Sequence, residues 1–170
     1  MIPLQHELPK GLSRIEGIPG GLASRCDMLD EITLLQGMPY DDLMLISEHL
    51  IACAAPSGVY LLREGEQGET MFFLVDGELA IRKECAQGEE RLLTTIRTGK
   101  TVGEMSLIDQ YPHSASVMTS SPVRLLLLTR AGLESLRKAH PRVAYDLLQA
   151  ITRLLSFRLR QTSGKLIDHI

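Results

Sequence analysis

The spacing of apolar residues changes twice along the chain. Between residues 30 and 50 they recur at helical spacing, with a break at Gly37-Met38-Pro39, which predicts two short helices. We expect the second helix to be entered between Pro39 and Asp42. The middle of the chain then holds short β-prone runs, each closed by Gly, Pro or Ser, and the helical period returns after Leu128.

The middle region predicts an all-β unit. In MFFLVDGELAIRK two β-prone runs flank Asp76-Gly77, a dipeptide typical of a tight hairpin turn. GVYLLREGEQGE, RLLTTIRTGKTVG and SASVMTSSPVRLLLLT repeat the pattern of a short strand followed by a turn. Strands at such regular intervals indicate a sandwich or a jelly-roll barrel.

Two helices are predicted after the strands. Thr129 is a plausible N-cap for RAGLESLRKA, Pro141 begins a longer helix, and Gly164 is the expected end of that helix. The apolar positions that share one face of the longer helix are Ala144, Leu147, Leu148, Ile151, Leu154, Leu155 and Leu159. The predicted fold is therefore mainly β, a jelly-roll β-barrel with flanking N-terminal helices and a long C-terminal helix.

A chain of 170 residues is most simply one domain. Residues 1–28 carry Pro3, Pro9 and Pro19 with little periodicity, so we expect a flexible N-terminal arm. Residues 29–170 then form the domain, including the C-terminal helices.

Composition narrows the function classes. A net charge of −3 and a pI near 6.0 argue against direct binding of nucleic acid by bulk electrostatics. Cys26, Cys53 and Cys85 are odd in number and widely spaced, which favours reduced thiols in the cytoplasm. No segment resembles a signal peptide or a membrane span of about 20 apolar residues, so we expect a cytoplasmic protein without membrane attachment.

The stretch VGEMSLIDQYPHSASV, residues 102–117, has the features of an anion-binding pocket. Gly103 opens a short helix and lets backbone approach a ligand without a Cβ in the way. The free N–H groups of the helix start favour an anion, whereas the carboxylate of Glu104 repels one and suits sugar hydroxyls. Pro112 then fixes a turn, after which Ser114 to Ser116 return hydroxyl and N–H groups to the same place.

Three segments in order resemble the cyclic nucleotide-binding domain family, from about Leu34 to Thr162. They are the glycine-rich turn REGEQGETMFFLVDGELAI, the phosphate-binding cassette GEMSLIDQYPHSASV, and the final helix HPRVAYDLLQAITRLLSFRLRQ. The resemblance implies a sensor domain similar to that of catabolite activator protein-like regulators, with a cyclic nucleotide, cAMP or cGMP, as ligand.

The resemblance also implies roles for individual residues. Glu104 takes the position of the glutamate that holds the ribose 2′-hydroxyl, and Ser114 matches the small residue that adds to the phosphate grip. His113 stands where the family usually has the arginine that grips the cyclic phosphate. On the last helix, either Arg158 or Thr162 faces the base. The implied ligand-binding set is Gly103, Glu104, Met105, Ser106, His113, Ser114, Ala115, Ser116, Arg158 and Thr162.

Because His113 replaces the usual arginine, three hypotheses for the function of the site remain open. Arginine offers a permanently charged fork of donors, whereas a neutral histidine donates one hydrogen bond. The site is then a weak or altered cyclic nucleotide site, a structural cassette that no longer binds nucleotide, or a receptor for another ligand such as a cyclic dinucleotide. Another arginine, such as Arg82, Arg91 or Arg97, could supply the missing charge. Glu104 has its own alternative, in which it accepts backbone N–H groups of its own turn.

Catalysis is not expected. The five histidines form no HxH pair, as a metal-dependent jelly-roll enzyme would need, and no GxSxG nucleophile elbow is present. We expect neither an enzyme nor a metal site.

Output is expected to pass through another molecule. Only two predicted helices follow the last strand, so we expect no helix-turn-helix DNA reader and propose signalling through an unknown effector protein or a dimer change. The wide apolar stripe of the long helix suits a homodimer, and the alternative is a helix that packs only on its own barrel. Its basic residues, which are typical of a solvated helix C-terminus, are Arg153, Arg158, Arg160 and Lys165.

Overall fold

The computed structural model describes residues 8–15, 21–86 and 88–167. The helices are α1 (Gly21–Asp30), a 3-10 turn (Thr33–Leu35), α2 (Tyr40–Ser47), α3 (Glu104–Asp109), α4 (Arg130–Ala139) and α5 (Pro141–Ile167). The strands are β1 (Ser13–Arg14), β2 (Ile51–Ala55), β3 (Tyr60–Leu62), β4 (Thr70–Asp76), β5 (Glu78–Glu84), β6 (Glu90–Arg97), β7 (Thr101–Val102), β8 (Ser116–Thr119) and β9 (Val123–Thr129). No helix among these residues is both long enough and apolar enough to cross a membrane.

The strands form two antiparallel sheets. Sheet A has the order β1-β2-β9-β4-β7, and sheet B has the order β3-β8-β5-β6. The mainly β architecture predicted from the sequence is confirmed. Closure of the two sheets into one barrel stays a prediction.

Sheet A is covered on both faces, and this explains the sequence of β4. Phe72 and Leu74 face sheet B and pack in one apolar cluster with Leu79 and other residues. Met71 and Phe73 face the opposite way and pack against the helices. A strand buried on both faces is apolar at consecutive positions rather than at alternate ones. The burial of each such side chain stabilises the folded state by about 1.5–3 kcal/mol.

The predicted hairpin at Asp76-Gly77 is wrong. β4 pairs with β7 and β9, whereas β5 pairs with β6 and β8, so the turn carries the chain from sheet A to sheet B. Gly77 has φ 99°, and a Cβ there would lie 2.5 Å from the carbonyl oxygen of Pro122. The hairpin is the β5–β6 connection, closed by the Cys85 N–H donating to Glu89 O at 2.8 Å.

The predicted boundary at residue 28 falls inside helix α1. Cys26 and Leu29 are fully buried in the helical cluster of the core, so the chain from Gly21 onward is part of the folded domain rather than of a flexible arm. Earlier in the same arm, β1 pairs with β2. Residues 1–7 and 16–20 of the predicted arm lie outside the described residues.

The C-terminal helices begin where the sequence predicts. The Thr129 hydroxyl accepts a hydrogen bond from the Gly132 N–H at 3.0 Å, which confirms the N-cap of α4. Helix α5 begins at Pro141 but continues through Gly164 to Ile167, so the predicted end is wrong. A glycine inside a helix costs about 1 kcal/mol, which a long helix tolerates.

The first half of α5 packs most deeply against the body of the domain. Ala144, Leu147 and Ile151 are fully buried against the other helices and sheet A. Further along, Phe157 is 52% exposed and Leu159 is 68% exposed. The second half of α5 therefore projects an apolar surface toward solvent.

Candidate functional site

The segment between β7 and β8 closes one end of a cavity of about 320 Å³. This volume lies in the range of small-molecule sites, about 300–1,000 Å³. Sheet residues form the apolar wall, and they are Leu62, Ile81, Ile96, Val102 and Val117. Met105 and Tyr111 line the mouth and are 50% and 71% exposed.

Most of the predicted site residues line this one cavity. They are Gly103, Glu104, Met105, Ser106, His113, Ser114, Ala115 and Arg158. Two others do not line it. Ser116 is buried in β8, where its Oγ accepts a hydrogen bond from the Glu64 N–H at 3.0 Å, and Thr162 is exposed on α5 with its hydroxyl donating to Arg158 O at 3.0 Å. The structure thus gives neither Ser116 nor Thr162 a contact with the cavity.

Gly103 brings the start of α3 close to sheet A. Its φ is 85°, in the left-handed region, and a Cβ there would lie 2.5 Å from Thr70 O and 3.3 Å from Leu62 Cδ1. A residue without a side chain is therefore required. The N–H groups of the first turn of a helix have no partner within that helix, and the residues of this turn, Glu104, Met105 and Ser106, line the cavity.

Glu104 is the most deeply buried charged group of the cavity, with 2% of its surface exposed. One carboxylate oxygen, Oε1, accepts a hydrogen bond from Arg158 Nη1. The other, Oε2, is buried and has no partner among the described residues. The sequence alternative, in which Glu104 accepts backbone N–H groups of its own turn, is not found among these residues. A buried acceptor without a partner costs about 1–3 kcal/mol, which a ligand hydroxyl would recover.

Arg158 supplies the fixed positive charge of the cavity. It reaches in from α5, and its Nη2 also donates to Thr101 O at 3.2 Å. Burial lowers the pKa of its guanidinium below the ordinary value, yet arginine stays charged. The arginines proposed from the sequence as substitutes, Arg82, Arg91 and Arg97, are absent from the described lining. Their role as phosphate ligands is therefore not supported.

His113 is held in a neutral state by its surroundings. Its Nδ1 lies 3.1 Å from Ser106 Oγ, and its ring packs against Gly68. Burial lowers the pKa of His113 below its ordinary value, and the nearby charge of Glu66 only partly offsets this. The histidine therefore provides a hydrogen bond but no positive charge at neutral pH.

Among the described residues, His113 and His49 have a lowered pKa, and they predict a loss of stability in acid. Burial is the main cause at both positions. Because the unfolded chain takes up these protons near pH 6.5, before the folded protein does, their contribution to stability is full above about pH 6.5 and is lost as the pH falls through the depressed pKa values. Urea unfolding at pH 7.5 and 5.5 should show a smaller acid loss for His113→Gln and His49→Gln than for the wild type. Equal losses in all three proteins would contradict this.

Glu64 helps to hold the end of the segment, near Ser114, in place. The sequence analysis did not predict a role for this residue. Its Oε1 accepts from Lys83 Nζ at 2.7 Å, and its Oε2 accepts from the Glu84 N–H at 2.9 Å. Lys83 in turn donates to Ser114 O at 2.7 Å. These bonds lower the pKa of the Glu64 carboxyl, the Lys83 hydrogen bond first. A charged residue in a glycine-rich loop gives no sequence signal for such a role.

A family model described as "Cyclic nucleotide-binding domain" matches residues 53–140, just over half of the chain. The chain belongs to the cyclic nucleotide-binding domain family. The match contains the whole segment from Gly103 to Ala115, whereas Arg158 lies beyond it. This confirms the resemblance drawn from the three sequence segments.

Two relatives of this cyclic nucleotide-binding domain are regulatory proteins. It is 28% identical over 144 residues to a CRP-like cAMP-activated global transcriptional regulator of Mycobacterium tuberculosis. This match covers 85% of this chain and 62% of the relative. It is 30% identical over 108 residues to a cAMP-dependent protein kinase regulatory subunit of Emericella nidulans. This match covers 64% of this chain and 26% of the relative. The chain thus spans less than two thirds of the length of either relative.

A solved structure shows the same fold. It is a crystal structure of a cyclic nucleotide-binding domain from Methylobacillus flagellatus KT, with a TM-score of 0.80 and 24% identity, and the match covers 94% of this chain and 90% of the other. The two antiparallel sheets with their helices therefore have the architecture of the family.

Proposed function

We propose that this domain binds a cyclic nucleotide, cAMP or cGMP, in the cavity beneath α3 and acts as a non-catalytic regulatory module. The observation that carries the proposal is the buried Oε2 of Glu104, which lines the cavity and lacks a partner among the described residues. A ribose 2′-hydroxyl is a donor of the kind this oxygen needs. Because Gly103 has no Cβ, the backbone at the start of α3 can come close to a ligand and offer N–H groups to a phosphate. Ile81, Ile96 and Val117 form an apolar wall suited to a nucleobase.

The affinity is lower than that of a site with an arginine in the cassette. Neutral His113 replaces a charged fork that matches phosphate oxygens. A hydrogen bond to a charged group contributes about 1.5–3 kcal/mol, so the loss of one corresponds to roughly 10- to 100-fold in affinity. We infer weak or altered binding rather than none, because Arg158 keeps a positive charge in the cavity.

Thermal unfolding tests the proposed function. A ligand at about 100 times its Kd stabilises the folded state by about 2.7 kcal/mol, which raises the Tm of a chain of this size by roughly 5–10 °C. We expect such a rise with cAMP or cGMP and none with inorganic phosphate at the same concentration. The rise should shrink in Glu104→Gln, which removes the acceptor charge. The absence of any shift with either cyclic nucleotide up to its solubility limit would contradict the proposal.

A structural or interaction protein that kept the fold and lost the ligand is the second candidate. It is favoured by His113, whose Nδ1 already lies within hydrogen-bonding distance of Ser106 and whose ring is neutral. A fold alone does not guarantee the function usually found on it. A cyclic dinucleotide receptor is less well supported, because a cavity of about 320 Å³ lies at the low end of the range for small-molecule sites.

We also propose partners for this domain, from the exposed surface of α5. The exposed Phe157 and Leu159 on the second half of α5 suit a homodimer formed through this helix. We propose that ligand binding is transmitted through such a dimer or to an effector protein. The absence of catalysis and the cytoplasmic location stay predictions.

A further inference from the structure

Arg158 is the residue of α5 that reaches the ligand cavity. It lies two helical turns beyond Ile151, which is fully buried, and its own side chain is 39% exposed. It touches Glu104 Oε1 and Thr101 O. Arg158 and Thr101 also line a groove of about 590 Å³ on the other side, between α5 and the start of α2. Arg158 therefore forms the wall between the cavity and this groove.

The charge balance of the cavity depends on Arg158. The acidic residues of the described lining are Glu104 and Asp109, and Asp109 is exposed and accepts from the Tyr111 N–H at 3.0 Å. Arg158 provides the permanent positive charge of that lining. Without it, an anionic ligand would meet an almost fully buried carboxylate that nothing offsets.

The orientation of Glu104 depends on the same contact. Arg158 holds Oε1, so the carboxylate cannot rotate freely, and Oε2 is left without a partner among the described residues. An acceptor fixed in this way can discriminate between a ligand that has a hydroxyl and one that lacks it, because the second leaves the buried oxygen unpaired.

We infer that Arg158 is a positioning residue for ligand selectivity: it fixes Glu104 so that Oε2 is reserved for one ligand hydroxyl, and it offsets the carboxylate charge so that an anionic ligand can lie beside it. The inference rests on the proposed function and deepens it. It also makes selectivity for the 2′-hydroxyl depend on a residue of α5, outside the cassette.

The test compares cAMP with 2′-deoxy-cAMP by calorimetry. We expect the wild type to prefer cAMP by about 10- to 100-fold, the effect of one hydrogen bond to a charged group. Arg158→Met keeps the stem but removes the charge, so its preference should fall toward one. Arg158→Lys should restore part of the preference, because it keeps the charge without the fork.

Arg153→Met is the matched control. Arg153 lies on the same helix and lines the groove but not the cavity, so this variant should keep the wild-type preference. A preference that survives in Arg158→Met, or one that is lost equally in Arg153→Met, would overturn the inference.

Failure of the proposed function is distinguishable from failure of this inference. Where wild-type binding is too weak for a ratio, the same variants are compared in the His113→Arg background. If neither the wild type nor His113→Arg binds cAMP or cGMP, the proposed function fails and the inference fails with it. If they bind and Arg158→Met keeps the preference, only the inference fails.

Discussion

Replacing His113 with arginine is expected to raise the affinity for cAMP by about 10- to 100-fold. The wild-type histidine is neutral at pH 7 because burial lowers its pKa, so it offers no charge to a phosphate. Arginine adds a permanent charge and a planar fork of donors beside the N–H groups of the α3 start. Fluorescence titration with a fluorescent cyclic AMP analogue, and its displacement by cAMP, measures the change.

His113→Gln is the matched control for this substitution, since it replaces the ring with a neutral hydrogen-bonding group. It should bind no better than the wild type. If the arginine variant also showed no gain, the cassette would not present its donors to a phosphate, and the structural alternative would be favoured. Failure of both the wild type and the arginine variant to bind would indicate that the site has decayed.

Replacing Gly103 with alanine is expected to lower the free energy of unfolding by about 2–5 kcal/mol. The left-handed backbone at φ 85° costs an alanine about 1–2 kcal/mol. The new Cβ would also lie 2.5 Å from Thr70 O, a backbone atom of a central strand, and overpacking of this kind costs about 1–3 kcal/mol. Urea unfolding followed by circular dichroism measures the loss.

Gly37→Ala separates the two causes. Gly37 has φ 86°, and nothing lies within 4 Å of a Cβ built on it, so this variant should show only the backbone cost of about 1–2 kcal/mol. Equal losses in the two variants would show that the approach of α3 to sheet A has room for a side chain, against the geometry of the cavity.

Local signals predicted most strands of the middle region, but they predicted neither β1 nor β2 and did not predict the strand partners. The apolar runs and the Asp76-Gly77 dipeptide correctly indicate two strands with a turn between them. The choice between a hairpin and a corner depends on which faces of the two strands are buried. Since β4 is covered on both faces and β5 pairs within sheet B, packing distant in sequence decides it.

The candidate site was predictable where it is local. Gly103, Glu104 and His113 belong to one continuous segment, so their convergence follows from the segment itself. The family resemblance implied that either Arg158 or Thr162 faces the base. The contact of Arg158 with Glu104 spans 54 positions and depends on the rotation of α5 against the sheets, which a helical periodicity does not fix.

Weak local signals also account for the errors at the ends of the chain. Helix α1 has little apolar periodicity, yet Cys26 and Leu29 are buried by contact with the rest of the core. At the other end, Gly164 is a residue typical of a helix end, but the helix continues to Ile167. Contacts with the core therefore outweigh the weak local pattern of α1, whereas α5 continues through an exposed Gly164 at a cost of about 1 kcal/mol.

Isothermal titration calorimetry of the wild-type protein and Glu104→Gln with cAMP and cGMP tests the central claim most directly. We expect saturable one-to-one binding of at least one nucleotide by the wild type, weakened by about 10-fold or more in the variant, whose side chain no longer offers a charged acceptor to the ribose hydroxyl. Wild-type binding that Glu104→Gln leaves unchanged, or no saturable binding of either nucleotide, would contradict the account.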